Sequence, residues 1–151
     1  MATLEKSPPE PDTATRHLNI LVADDVEEIT DLVRRWLEAE GHVVTRAFNG
    51  REVIELVQKQ RFDILVTDIV MPGMDGWDAI LAVGRMRPDI RILAISGGGK
   101  LNPADACLRL AKGVGADLAL RKPFRREDFL AAIAKLATRR PPEHTVIGKA
   151  S

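Results

Sequence analysis

Cysteine is nearly missing from this chain. Cys107 is the only one among 151 residues, so no internal disulfide can form, which suits a reducing compartment. No apolar run approaches the roughly 18 residues needed to cross a bilayer. The opening Met1–Asp12 holds three prolines and lacks the hydrophobic stretch of a secretion signal. Neither sign of charge is in excess: 22 Lys plus Arg balance 22 Asp plus Glu, and no bulk field draws nucleic acid or an anionic membrane. His17, His42 and His144 stand apart from other metal-binding side chains and read as ordinary surface residues. No G-x-S-x-G occurs, and Gly97-Gly98-Gly99-Lys100 lacks the spacing of a phosphate loop. A cytoplasmic protein is expected, with neither membrane nor nucleic acid as a partner and with its function confined to a local site.

What the chain does have is alternation. Short apolar runs are separated by amphipathic stretches, the pattern of repeated βα units around a parallel sheet. Strands are expected at Leu18–Ala23, His42–Ala47, Ile64–Thr67, Ile90–Ile95 and Asp117–Leu120; the first, third and fourth are apolar nearly throughout, as strands covered on both faces must be. Five helices are expected between and after them. In the first, Ile29, Leu32, Val33, Trp36 and Leu37 form one stripe, Asp24 or Asp25 is placed to cap its start, and Gly41 ends it. The others run from about Gly50 to Gln60, from Asp75-Gly76 to Arg87, from Asn102-Pro103 to Gly113, and from just after Pro123. Trp36 and Trp77 are expected in the core. One domain over 17–138 is expected, with solvated tails at 1–16 and 139–151.

Four strand ends carry polar residues: Asp24-Asp25 after the first, Asp68 after the third, Ser96 after the fourth and Lys122 after the fifth. In a doubly wound sheet of order 2-1-3-4-5 these ends converge, at the edge where open α/β sheets bind ligands. Carboxylates crowded there repel one another unless a hard cation such as Mg²⁺ neutralises them. Asp68 is then the nucleophile for a phosphoryl group and Asp25 the direct metal ligand. Asp24 supports the ion, Lys122 supplies a point charge and Ser96 a hydroxyl donor.

Each residue alone has a plainer role. The acidic pair could simply cap a helix, Asp68 could be a turn former ahead of Pro72-Gly73, and Lys122 could be a surface lysine. Their joint placement favours the site. A phosphatase with an aspartyl-phosphate intermediate is a rival, but such enzymes often set a second acid two residues after the nucleophile, and Val70 stands there.

Between Leu18 and Ala137 the chain resembles the response-regulator receiver domain, the CheY-like phosphoacceptor of two-component signalling. The resemblance rests on Leu21-Val22-Ala23-Asp24-Asp25, on Val66-Thr67-Asp68 through Met71-Pro72-Gly73-Met74-Asp75-Gly76, on Ala94-Ile95-Ser96-Gly97 and on Arg121-Lys122-Pro123-Phe124. It implies a flavodoxin-like (βα)5 fold and Mg²⁺ held by Asp25, Asp68 and the main-chain carbonyl of Val70, with Asp24 in the same pocket. It also implies phosphorylation of Asp68 by a histidine kinase or histidine phosphotransfer protein, and a Lys122-Pro123 bond that is usually cis. Self-phosphorylation and self-dephosphorylation are the only catalysis implied, so no enzyme in the ordinary sense is expected. A downstream protein target is expected, as is a monomer or weak dimer. A phosphoryl shuttle or sink and a binding module without phosphorylation are the alternatives. The family's switch aromatic is replaced by Ala119, and the loop Gly97-Gly98-Gly99 is expected to take over its part. With 138–151 too short for a DNA-binding domain, a stand-alone receiver is expected.

Overall fold

The computed structural model describes residues 17–69, 76–97, 109, 112–113 and 115–138. Its strands are β1 (Asn19–Ala23), β2 (Val43–Ala47), β3 (Ile64–Asp68), β4 (Arg91–Ser96) and β5 (Leu118–Arg121), all parallel and in the order β2-β1-β3-β4-β5. The helices are α1 (Glu27–Ala39), α2 (Gly50–Lys59), α3 (Gly76–Met86) and α4 (Arg126–Thr138). Fold class and strand order are those expected. Strand bounds differ from expectation by a residue at most, and β3 and β4 run one residue further, into Asp68 and Ser96.

Side chains alternate across the pleat, so each central strand feeds two cores. Leu21, Leu65, Ile92 and Ala94 face α2 and α3, with Val53, Val57, Ile80 and Val83. Ile20, Val22, Ile64, Val66, Leu93 and Ile95 face α1 and α4, with Val33, Leu37, Phe129 and Ile133. All five residues of β3 are buried, whereas the edge strands β2 and β5 are mostly half-exposed. The middle of the sheet is therefore covered on both faces, and at its carboxyl ends the register aligns Asp68 with Ile95 and Ser96 with Arg121.

Gly41 ends α1 as expected: its φ is +93°, and its N–H bonds the Glu38 carbonyl at 2.9 Å. The start of α1 differs from expectation. Val26 is the N-cap residue and supplies no side-chain bond, while Asp24 accepts the Val26 N–H at 2.9 Å instead of capping a later amide. Leu32, expected in the buried stripe, is 42 % exposed, because it borders an open groove. Trp36 and Trp77 are half-buried at the margins of the two cores. Of the helix expected from Asn102-Pro103, only Arg109, Lys112 and Gly113 are described, and all three are helical. The expected tails, Val70 and residues 98–100 lie outside the described residues.

Candidate functional site

β1 ends at Ala23 and hands the chain to Asp24, which is 2 % exposed, and then to Asp25, which faces solvent. β3 ends on Asp68 (7 % exposed) and β4 on the fully buried Ser96. Lys122 follows β5, and its N–H donates to the Ser96 carbonyl at 2.9 Å, which extends the β4–β5 ladder and fixes the root of the side chain. From that root the ammonium reaches across the pocket. It donates to Asp24 Oδ2 at 2.9 Å and to Asp68 Oδ2 at 3.2 Å. The Lys122-Pro123 bond is cis, as the family resemblance implied.

The structure thus brings together the side chains of Asp24, Asp25, Asp68 and Lys122, and ends β4 beside them at Ser96. One carboxylate oxygen from each of Asp24, Asp25 and Asp68 lies within 4.8 Å of the others. Mg²⁺ is a hard cation that takes oxygen ligands, carboxylates among them. This oxygen-only donor set fits such an ion. Both Asp24 oxygens are engaged, one by the Val26 N–H and one by Lys122, which suits Asp24 as the supporting carboxylate and the exposed Asp25 as the direct ligand. The remaining expected ligand, the carbonyl of Val70, lies outside the described residues.

Electrostatics agree with the geometry. Burial works against the Lys122 ammonium, but the hydrogen bond to Asp24 and the charges of Asp68 and Asp24 outweigh it and hold its pKa above the ordinary lysine value. Lys122 is therefore charged at any physiological pH. Two buried carboxylates sharing one ammonium carry excess negative charge, which a divalent cation would offset.

Ala119 is half-buried on β5 and pairs with Ala94, so a methyl group stands where the family resemblance expects a ring. Gly97, the described residue of the loop expected to compensate, has room for a side chain: a Cβ there would meet Lys122 at 3.5 Å, an ordinary contact.

Two features escaped the sequence. Thr67 is fully buried, and its hydroxyl donates to the Asp68 carbonyl at 2.9 Å; a threonine inside an apolar run was the only signal. A groove of about 370 Å³ opens beside Lys122, between Ile29, Leu32, Val33 and Trp36 of α1 and the segment Pro123-Phe124. Phe124, in its lining, stacks on the buried Phe129 with ring centroids 5.6 Å apart and meets Trp36 edge-on at 6.1 Å. No spacing in the sequence joins α1 to Phe124.

Comparison with known proteins bears on this geometry. The family model for the response regulator receiver domain matches residues 20–134. Response regulator SaeR of Staphylococcus aureus (strain USA300) is 32% identical over 126 residues, which span 83% of this chain and 53% of SaeR. The chain covers about half the length of the curated relatives it matches. Among solved structures, chemotaxis response regulator CheY4 of Vibrio cholerae is similar with a TM-score of 0.70 at 31% identity, over 80% of this chain and 99% of that one. The receiver domain of the Francisella response regulator 1452 gives a TM-score of 0.72 at 25% identity, over 82% and 98%.

Proposed function

This chain belongs to the response regulator receiver domain family, and from that premise we propose that it is the phosphoacceptor of a two-component or phosphorelay system, with Asp68 as the acceptor. The observation that carries this reading is the Lys122 ammonium joining Asp24 and Asp68, residues 98 and 54 positions away in the chain. No helix cap or surface lysine needs that convergence.

In the proposed reaction an Asp68 oxygen attacks the phosphorus of a phosphohistidine. The new O–P bond forms as the P–N bond breaks, and the imidazole leaves with the bonding pair and takes up a proton. Lys122 exchanges one carboxylate partner for a phosphoryl oxygen, and the Ser96 hydroxyl donates to another. Asp25 and Asp68, supported by Asp24, would hold Mg²⁺, which when bound draws charge off the transferring oxygens. The product stays on the chain, so this is a switch and not an enzyme acting on a metabolite. Its donor is a histidine kinase or histidine phosphotransfer protein, and its output is contact with a downstream protein. The apolar groove shares Lys122 with the acceptor pocket, and there we place the donor.

The test is incubation of wild type and Asp68→Asn with acetyl phosphate and Mg²⁺, followed by intact-mass measurement. Wild type is expected to gain the mass of one phosphoryl group and Asp68→Asn none. Equal masses before and after in wild type would leave a binding module without phosphorylation.

A further inference from the structure

Gly76, the first residue of α3, lies directly beneath the acceptor. A Cβ built on it would fall onto the Asp68 carbonyl oxygen, and would stand 2.6 Å from Ile69 Cα and 2.7 Å from Ile69 O. All three are backbone atoms and none can swing aside. The other glycine of α3, Gly84, has nothing within 4 Å of the same construction. One helix therefore holds one glycine that geometry demands and one that it does not.

The Asp68–Ile69 segment is held from several sides at this point. The Ile69 N–H donates to the Ile95 carbonyl at 3.0 Å, the Ile69 carbonyl accepts the Gly76 N–H at 2.8 Å, and Thr67 Oγ1 donates to the Asp68 carbonyl at 2.9 Å. The direction in which the Asp68 carboxylate leaves the main chain is set by this peptide, and its oxygen meets Lys122 at 3.2 Å. We infer that Gly76 is a positioning residue for phosphoryl transfer: by bringing the first turn of α3 into contact with the acceptor's own carbonyl, it fixes where the Asp68 carboxylate points. Any side chain at 76 pushes α3 and the Asp68–Ile69 peptide apart. An in-line attack is sensitive to such a shift, since a displacement of about 1 Å can cost on the order of 100-fold in rate.

The inference rests on the phosphoacceptor reading, and one experiment separates their failures. Wild type, Gly76→Ala, Gly84→Ala and Thr67→Val are phosphorylated by acetyl phosphate at saturating Mg²⁺. Rates are followed by intact mass over a range of donor concentrations, and folding is followed by circular dichroism. Gly76→Ala is expected to lose about 10-fold or more in maximal rate with little change in half-saturating donor, because the acceptor is misaimed and donor binding is untouched. Gly84→Ala is expected to keep the wild-type rate. A folded Gly76→Ala with the wild-type maximal rate overturns the inference alone. Absence of uptake by wild type overturns it together with the phosphoacceptor reading. Should Gly76→Ala not fold, Thr67→Val decides: loss of the hydroxyl on the Asp68 carbonyl is expected to lower the maximal rate several-fold, and an unchanged rate overturns the inference.

Discussion

The two ends of the parallel sheet use the same residue type in opposite ways. At the amino end, side chains bond to main chain. Asp63 Oδ2 accepts the Asn19 N–H at 2.8 Å, Asp117 Oδ2 accepts the Ile92 N–H at 2.7 Å, and His42 Nδ1 accepts the Leu18 N–H at 3.1 Å. Each supplies a strand start with the acceptor it would otherwise lack. At the carboxyl end, Asp24, Asp25 and Asp68 crowd together, and Lys122 serves two of them. The first arrangement satisfies polar groups one by one; the second leaves like charges facing one another. Only the second keeps unbalanced charge ready for an incoming ligand, which is why ligands of open α/β sheets gather at this end.

Substitutions at the two ends are expected to dissociate. The largest effect belongs to the carboxyl end. Lys122→Met removes the donor that reaches both Asp24 and Asp68, and its rate of phosphorylation by acetyl phosphate is expected to fall on the order of 100-fold while the protein stays folded. A rate within a few-fold of wild type would mean that Lys122 only ties the pocket together.

At the amino end the effect is expected in stability and not in rate. Asp117→Ala leaves the Ile92 N–H without its side-chain acceptor, on a residue only 1 % exposed, and is expected to cost about 1–3 kcal/mol. The measurement is the urea midpoint at unchanged slope, beside a phosphorylation rate equal to wild type. A slowed rate at unchanged stability would show the two ends to be coupled.

The same contrast explains what could be read in advance. The carboxyl-end residues were legible because each follows an apolar run, and strand order alone turns those positions into proximity. The amino-end bonds were not, since Asp63 and Asp117 look like ordinary turn residues and the amides they accept lie 44 and 25 positions away. In sequence His42 reads as a surface residue for the same reason. It is half-buried, and its acceptor role depends on a partner 24 positions off. The start of α1 departs from its local pattern because Asp24 satisfies a tertiary partner, Lys122, which no local pattern contains. The cap of α2, by contrast, has a local signal: Asn49 accepts the Glu52 N–H at 2.9 Å, and the Glu52 carboxylate accepts the Phe48 N–H at 2.7 Å.

The smallest expected effect is the dependence of stability on pH, and it has opposite signs at the two ends. His42 titrates below its ordinary value of 6.5 chiefly because burial disfavours the cation; neighbouring His17 adds to this, while Glu40 and Asp63 oppose it. Its Nδ1 accepts the Leu18 N–H only when that nitrogen carries no proton. Between 6.5 and the lower folded value the unfolded chain binds more protons, so His42 contributes stability that is present above 6.5 and lost as the pH falls through the folded value. Lys122 works the other way. Its folded pKa lies above 10.5, so its contribution is full below 10.5 and is lost as the pH rises through the folded value. His42→Asn keeps a side-chain acceptor for Leu18 but cannot titrate, and is expected to flatten the acid limb of the unfolding free energy and leave the alkaline limb alone. Lys122→Met is expected to flatten the alkaline limb. Urea titrations across the pH range measure both limbs, and an acid limb unchanged in His42→Asn would overturn the assignment of that loss to His42.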